Sequence, residues 1–223
     1  VDDQRDPGRS LWQRTSAENL GEDYARRYAE HFDALAASGT DIHGEVGFLR
    51  GLLGPGDRVL DAGCGTGRIA TRLHEEGYAA TGVDADPAMI EVARERSPQV
   101  RWHVADLAEF DLGLDLGLDL GERFDVVVLA GNVVPFVEGS LRQVCARLAA
   151  HLAPQGRLVC GYGLDRAHLP SGAREVPFAD FDAACAAAGL RLLSHHAGWD
   201  GAAYDGGGYS LSVHGHAPAD ATG

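Results

Sequence analysis

Apolar residues recur at helical spacing near the start of the chain. Leu20, Tyr24, Tyr28, Phe32 and Leu35 form a stripe behind Thr15 and Glu18, which stand in capping-box spacing, and the pattern predicts one amphipathic helix. A second, short helix is predicted by Ile42, Val46, Leu49 and Leu53 and is ended by Gly54-Pro55-Gly56. From residue 57 strand and helix alternate. Strands are predicted at 58–62, 79–84, near 100–105, at 124–130 and at 157–162. Helices lie between them near 66–76, from Asp86-Pro87 to just before Pro98, and near 138–152. This βαβ series implies an α/β fold with a parallel sheet, whose apolar runs VVVLA and RLVC suit central strands covered on both faces. The end differs: a helix at 177–188, capped by Gly189, leads into RLLSHHA and YSLSVHGH, which read as an antiparallel hairpin. The resulting division is a tail and helical cap at 1–56, a main domain at 57–216, and a disordered tail at 217–223. The repeat DLGLDLGLDLG at 111–121 lacks the spacing of a calcium loop and reads as an exposed insertion.

Composition narrows the partners. The 223 residues carry 19 basic against 33 acidic side chains, a net charge of −14, which repels phosphate backbones and anionic membrane surfaces. Nucleic acid and membrane are therefore not expected as partners, and with no apolar run of membrane-spanning length or leader pattern the reading is a soluble, cytoplasmic protein. Cys64, Cys145, Cys160 and Cys185 show no CxxC pair and read as buried free thiols. The histidines show no metal-ligand spacing, so no metal is expected. All basic residues except histidine are Arg, and Asn occurs only at Asn19 and Asn132, a coding bias that draws attention to a retained Asn.

The sharpest chemical signal is Val59-Leu60-Asp61-Ala62-Gly63-Cys64-Gly65-Thr66-Gly67, a strand, then glycines on alternate positions, then a helix. Such glycines permit positive φ and let a ligand lie against bare backbone, beside the free amides of a helix N-terminus. The dinucleotide fingerprint asks for a third small residue where Arg68 stands, which speaks against hydride transfer with a nicotinamide cofactor. Asp84, at the end of the next strand, lies close to the roughly 20-residue offset at which a carboxylate meets ribose hydroxyls.

With these residues in order, the chain resembles the class I S-adenosylmethionine-dependent methyltransferases over about residues 57 to 216. The resemblance implies a Rossmann-like, doubly wound, mostly parallel seven-stranded sheet with an antiparallel C-terminal hairpin and an N-terminal helical cap. It implies S-adenosylmethionine as methyl donor and S-adenosylhomocysteine as product. VLDAGCGTG looks like the family's first motif, placing Asp61, Gly63, Cys64, Gly65 and Gly67 under the methionine and ribose portion. Asp84 matches the ribose acid, Ala85 and Met89 fall where the adenine packs, and Asp106-Leu107 match the pair at the adenine edge. Ala130, Gly131 and Asn132, after the fourth strand, fall where cofactor and substrate contacts lie, and LAPQGRLVCGY resembles the approach to the fifth strand. Tyr24 and Tyr28 either lid the cofactor, as aromatics on the N-terminal helices of similar proteins do, or pack in the core. Asn132 is followed by Val-Val-Pro-Phe rather than by the Pro-Pro-aromatic of enzymes that methylate nucleobase or glutamine amino groups, which favours the small-molecule branch.

Phe136 and Tyr162, directly after the fourth and fifth strands, are the leading candidates for an acceptor pocket, with Trp199 and Tyr204 behind them. Tyr28 and Asn132 join them on the acceptor side. A general base is needed only if the acceptor must lose a proton, and His31, His43 and His168 are the candidates. Edge packing competes for His31, and helix capping for His43. The expected activity is methyl transfer to a small-molecule acceptor by a monomer or homodimer. The rivals are a non-catalytic module binding the same cofactor, and a nicotinamide-dependent oxidoreductase.

Overall fold

The computed structural model describes residues 10–112 and 123–217. The repeat segment, all but its first two residues, and the tail from 218 lie outside the described residues, as do residues 1–9.

Seven strands form one sheet: β1 Arg58–Ala62, β2 Ala79–Asp84, β3 Arg101–Val104, β4 Phe124–Leu129, β5 Leu152–Gly163, β6 Leu190–His196 and β7 Tyr209–His216. Their order is β3-β2-β1-β4-β5-β7-β6, with β1 to β5 parallel and β7 antiparallel to both β5 and β6. The expected parallel sheet with an antiparallel hairpin is thus present. The hairpin's second strand inserts beside β5, so the last strand in sequence is not the edge.

The central strands alternate between two cores, as their uninterrupted apolar runs require. Leu60, Ala62, Val127, Leu129, Leu158 and Cys160 point to one face, against α7 (Leu141–Ala150) and α8 (Phe178–Ala187). Val59, Val126, Val128 and Val159 point to the other, where α3 (Gly44–Leu49), α4 (Arg68–Glu75) and α5 (Pro87–Arg96) pack. Cys145, Cys160 and Cys185 are buried and free as expected, whereas Cys64, expected to be buried as well, is free but only partly buried because it lies at a cavity wall.

The cap departs from the single helix expected from its stripe. It is two helices, α1 Leu11–Leu20 and α2 Tyr24–Ala37, broken at Gly21, which takes φ 80°. The capping box is Ser10 with Gln13, whose side chain and backbone bonds are reciprocal, rather than Thr15 with Glu18. Tyr24, Ala25 and Ala29 of α2 pack on Met89 and Val92 of α5, tying the cap to the flank of the sheet. An unexpected short helix, α6 Val133–Phe136, follows β4.

Candidate functional site

In a parallel sheet, ligands collect beyond the C-terminal strand ends where the strand order reverses, here between β1 and β4. A cavity of about 160 Å³ opens there. Its floor comes from successive strand ends: Asp61, Gly63, Cys64, Gly65 and Thr66 at the end of β1, Asp84 to Asp86 at the end of β2, Asp106 and Leu107 after β3, and Ala130 to Val133 after β4. Its roof comes from Ser10 and Trp12 at the start of α1, Tyr28 of α2, and Phe136, Val137 and Glu138.

The glycine-rich turn is held by backbone. The amides of Gly63 and Cys64 donate to Val83 O at 2.8 and 3.0 Å, and the Gly65 amide donates to Asp84 Oδ2 at 2.8 Å. A side chain at Gly65 would meet only Tyr28, 3.9 Å away, so its bare backbone faces the cavity. Gly67 has a different reason. It lies outside the cavity lining, and a Cβ there would stand 2.3 Å from Trp102 Cη2. The missing side chain of the third glycine therefore admits the Trp102 ring.

Burial dominates the electrostatics. Asp61 accepts from Ala70 N at 3.2 Å, yet loss of water raises its pKa to about 7. Asp84 accepts from Gly65 N and Asp86 N, and burial still raises it to about 6. Both groups hold protons in the ligand-free fold at pH values where the unfolded chain has released them. Their contribution to stability is therefore full below about pH 4 and lost as pH rises through 6 and 7. A ligand that hydrogen-bonds to the ionised forms should show the opposite slope, weakening by about tenfold per pH unit below each titration. Melting curves across pH, and calorimetry in buffers of different ionisation enthalpy that reveals proton release on binding, check both signs.

Asn132 is the one described non-glycine residue with positive φ, 67°, and its Oδ1 accepts from Gly163 N at 2.7 Å. The side chain clamps the end of β4 to the end of β5 and aims the turn into the cavity. Asn132→Gly keeps the backbone and loses the clamp, an expected cost of about 1 kcal/mol. Asn132→Ala adds about 1–2 kcal/mol of left-handed strain. Urea denaturation of the two variants separates these effects.

The roof is an aromatic corner. The Trp12 ring meets Tyr28 at 5.6 Å and Phe136 at 5.2 Å between centroids, both edge-to-face. Glu138 latches α1 in place, accepting from Leu11 N at 2.7 Å and pairing with Arg14 at 3.1 Å, while Gln13 reaches Asp86 at 3.2 Å.

Asp61, Gly63, Cys64, Gly65, Asp84, Ala85, Asp106, Leu107, Ala130, Gly131, Tyr28, Asn132 and Phe136 thus come together as the sequence suggested. Others do not line the cavity. Met89 is fully buried under α2, and Tyr24 is buried with its hydroxyl donating to Asp86 Oδ2 at 2.7 Å, so it steadies the floor instead of lidding it. Tyr162 is wholly buried against Phe181, because its place in β5 points it into the core. His31 is exposed beside Phe32, and His43 stands at the N-cap of α3 without making a capping bond. His168 pairs with Asp165 at 2.7 Å on the loop after β5. Trp199 donates to Tyr209 and Tyr204 stacks on His195, both within the hairpin. Sequence reasoning missed Ser10, Trp12, Thr66, Arg68, Asp86, Val133 and Glu138. Ser10 with Gln13 was a findable capping signal; the contact of Trp12 with Phe136 was not.

The family described as a methyltransferase domain matches residues 59–156. A dTDP-4-amino-2,3,4,6-tetradeoxy-D-glucose N,N-dimethyltransferase from Saccharopolyspora spinosa is 33% identical over 60% of this chain and 53% of its own length. The chain spans between a third and about half of the length of the first curated relatives it matches. Among solved structures, a TehB-like S-adenosylmethionine-dependent methyltransferase from Corynebacterium glutamicum superposes with a TM-score of 0.75 at 30% identity, over 87% of this chain and 98% of that one. An amino pentose methyltransferase from Micromonospora echinaspora shares the fold, with a TM-score of 0.61 at 24% identity over 82% of this chain and 95% of that one. With the strand order, the acids on successive strand ends and these likenesses in agreement, the chain belongs to the class I S-adenosylmethionine-dependent methyltransferases.

Proposed function

We propose that the protein transfers a methyl group from S-adenosylmethionine to a small-molecule acceptor by in-line displacement, releasing S-adenosylhomocysteine. The observation that carries this reading is one cavity that collects Asp61, Asp84 and Asp106 from three successive strand ends, opposite an aromatic roof.

The donor set fits the cofactor. Each Asp84 oxygen accepts one backbone amide, which leaves lone pairs for a ribose diol. Asp106 uses Oδ1 for Ala108 N beside the apolar Leu107, a combination suited to an adenine edge. Bare backbone at Gly65, with Asp61 beside it in the lining, suits the amino-acid end. When bound, S-adenosylmethionine supplies an already activated methyl group, so the protein's task is alignment. Asn132 sets the wall after β4, while Trp12, Tyr28 and Phe136 orient the acceptor and exclude water. We assign the catalytic domain to residues 57–216 and the cap to the described helices that precede it, Leu11–Leu20, Tyr24–Ala37 and Gly44–Leu49.

Amino-sugar substrates in the names of relatives support a small acceptor. The net charge of −14 supports a partner set without nucleic acid. No helix of the described residues is long and apolar enough to cross a membrane. We place the protein in the cytoplasm as a monomer or homodimer. The test is incubation with methyl-labelled S-adenosylmethionine and a panel of small amines, alcohols and thiols, following S-adenosylhomocysteine by chromatography. Product above the acceptor-free background is expected with at least one class. Binding of the cofactor without turnover on any member would favour a non-catalytic module.

A further inference from the structure

Five carboxylates line the cavity, Asp61, Asp84, Asp86, Asp106 and Glu138, and the one described cation in its lining is Arg68. Arg68 is committed elsewhere. Its guanidinium forks onto Glu45 at 2.6 and 3.0 Å, bonds Ile42 O, and lies 4.7 Å over the Phe32 ring. Among the described lining residues an anionic acceptor would thus meet acids and no free cation, whereas a cation gains from each of those acids that is ionised and not already paired.

The roof adds an independent observation. Trp12, Tyr28 and Phe136 converge on one corner of the cavity, and aromatic rings attract ammonium groups as well as apolar bodies. An alcohol would need a base before attack, and none of the candidate histidines His31, His43 and His168 lines the cavity. An amine is nucleophilic as soon as it is neutral.

Resting on the methyl-transfer reading above, we propose that the acceptor is a small organic amine, cationic in solution, received against Trp12, Tyr28 and Phe136. In the transfer the nitrogen lone pair forms the new N–C bond as the S–C bond breaks and its electron pair returns to sulfur, leaving a neutral thioether. Before that attack the bound ammonium sheds one proton to solvent, which frees the lone pair, and the positive charge that leaves sulfur appears on the methylated nitrogen.

The test uses the full chain saturated with S-adenosylhomocysteine and titrated calorimetrically with matched amine, alcohol and carboxylate ligands on cyclohexyl, benzyl and pyranosyl skeletons. On at least one skeleton the amine is expected to bind about tenfold or more tighter than both partners. Trp12→Leu, which keeps apolar bulk and removes the indole, should reduce that preference to about threefold or less, and Phe136→Leu should move it in the same direction. Equal or tighter binding of the alcohol or carboxylate, binding of no ligand to the saturated protein, or a preference that survives both substitutions overturns the proposal. Failure of S-adenosylhomocysteine itself to bind strikes the methyl-transfer reading instead.

Discussion

Asp84→Ala is expected to lower the affinity for S-adenosylhomocysteine by about a hundredfold or more in calorimetric titration. The carboxylate sits at the end of β2 with Gly65 N at 2.8 Å on one oxygen and Asp86 N at 2.9 Å on the other. The substitution removes the acceptors for two ribose hydroxyls, each charge-assisted bond worth roughly 1.5–3 kcal/mol. It also frees the Gly65 amide, so the glycine turn loses one of its three bonds to β2 and the loss compounds. Stability should move less, because removing Asp84 also removes a buried carboxylate whose ionisation burial opposes. A variant that binds within about threefold of the parent would refute the ribose assignment.

Gly67→Ala is expected to destabilise the protein by about 3–5 kcal/mol in urea denaturation. Two effects add. The residue takes φ 82°, a left-handed conformation that costs a side chain roughly 1–2 kcal/mol. Its Cβ would also lie 2.3 Å from Trp102 Cη2, and the ring cannot retreat, because its opposite side fills the space at Gly82 and its Nε1 donates to Ser97 O at 2.9 Å. In a Trp102→Leu background the same substitution should cost only the backbone share, about 1–2 kcal/mol. Gly65→Ala makes the contrast: φ is 54° and the nearest atom is 3.9 Å away, so stability falls by the strain alone while the cavity face of the turn is altered. Equal costs for the two glycines would show that the Trp102 contact is not what holds Gly67.

The parts of this structure legible in the sequence are those written in local periodicity. The run Val126 to Leu129 lacks alternation, which is the mark of a strand buried on both faces, and it divides between the two cores. The nearness of the glycine turn to Asp84 was legible as a pair of consecutive strand ends, because parallel pairing of β1 with β2 brings those ends together; the bond from Gly65 to Asp84 was not. The roof was not legible. The contacts of Trp12 with Phe136 and of Leu11 with Glu138 join positions more than a hundred residues apart, and nothing in either segment's own pattern encodes the other. Tyr162 misled because following a strand in sequence did not place it beyond the strand: β5 runs on to Gly163, and pairing with β7 keeps the ring inside. The packing reason for Gly67 was not legible either, because it comes from Trp102, 35 residues on in β3, and not from the glycine motif itself.

The most direct measurement is calorimetric titration of the purified protein with S-adenosylmethionine, S-adenosylhomocysteine and NADH side by side. The account predicts micromolar binding of the first two and none of NADH; binding of NADH alone, or of none of the three, would contradict it.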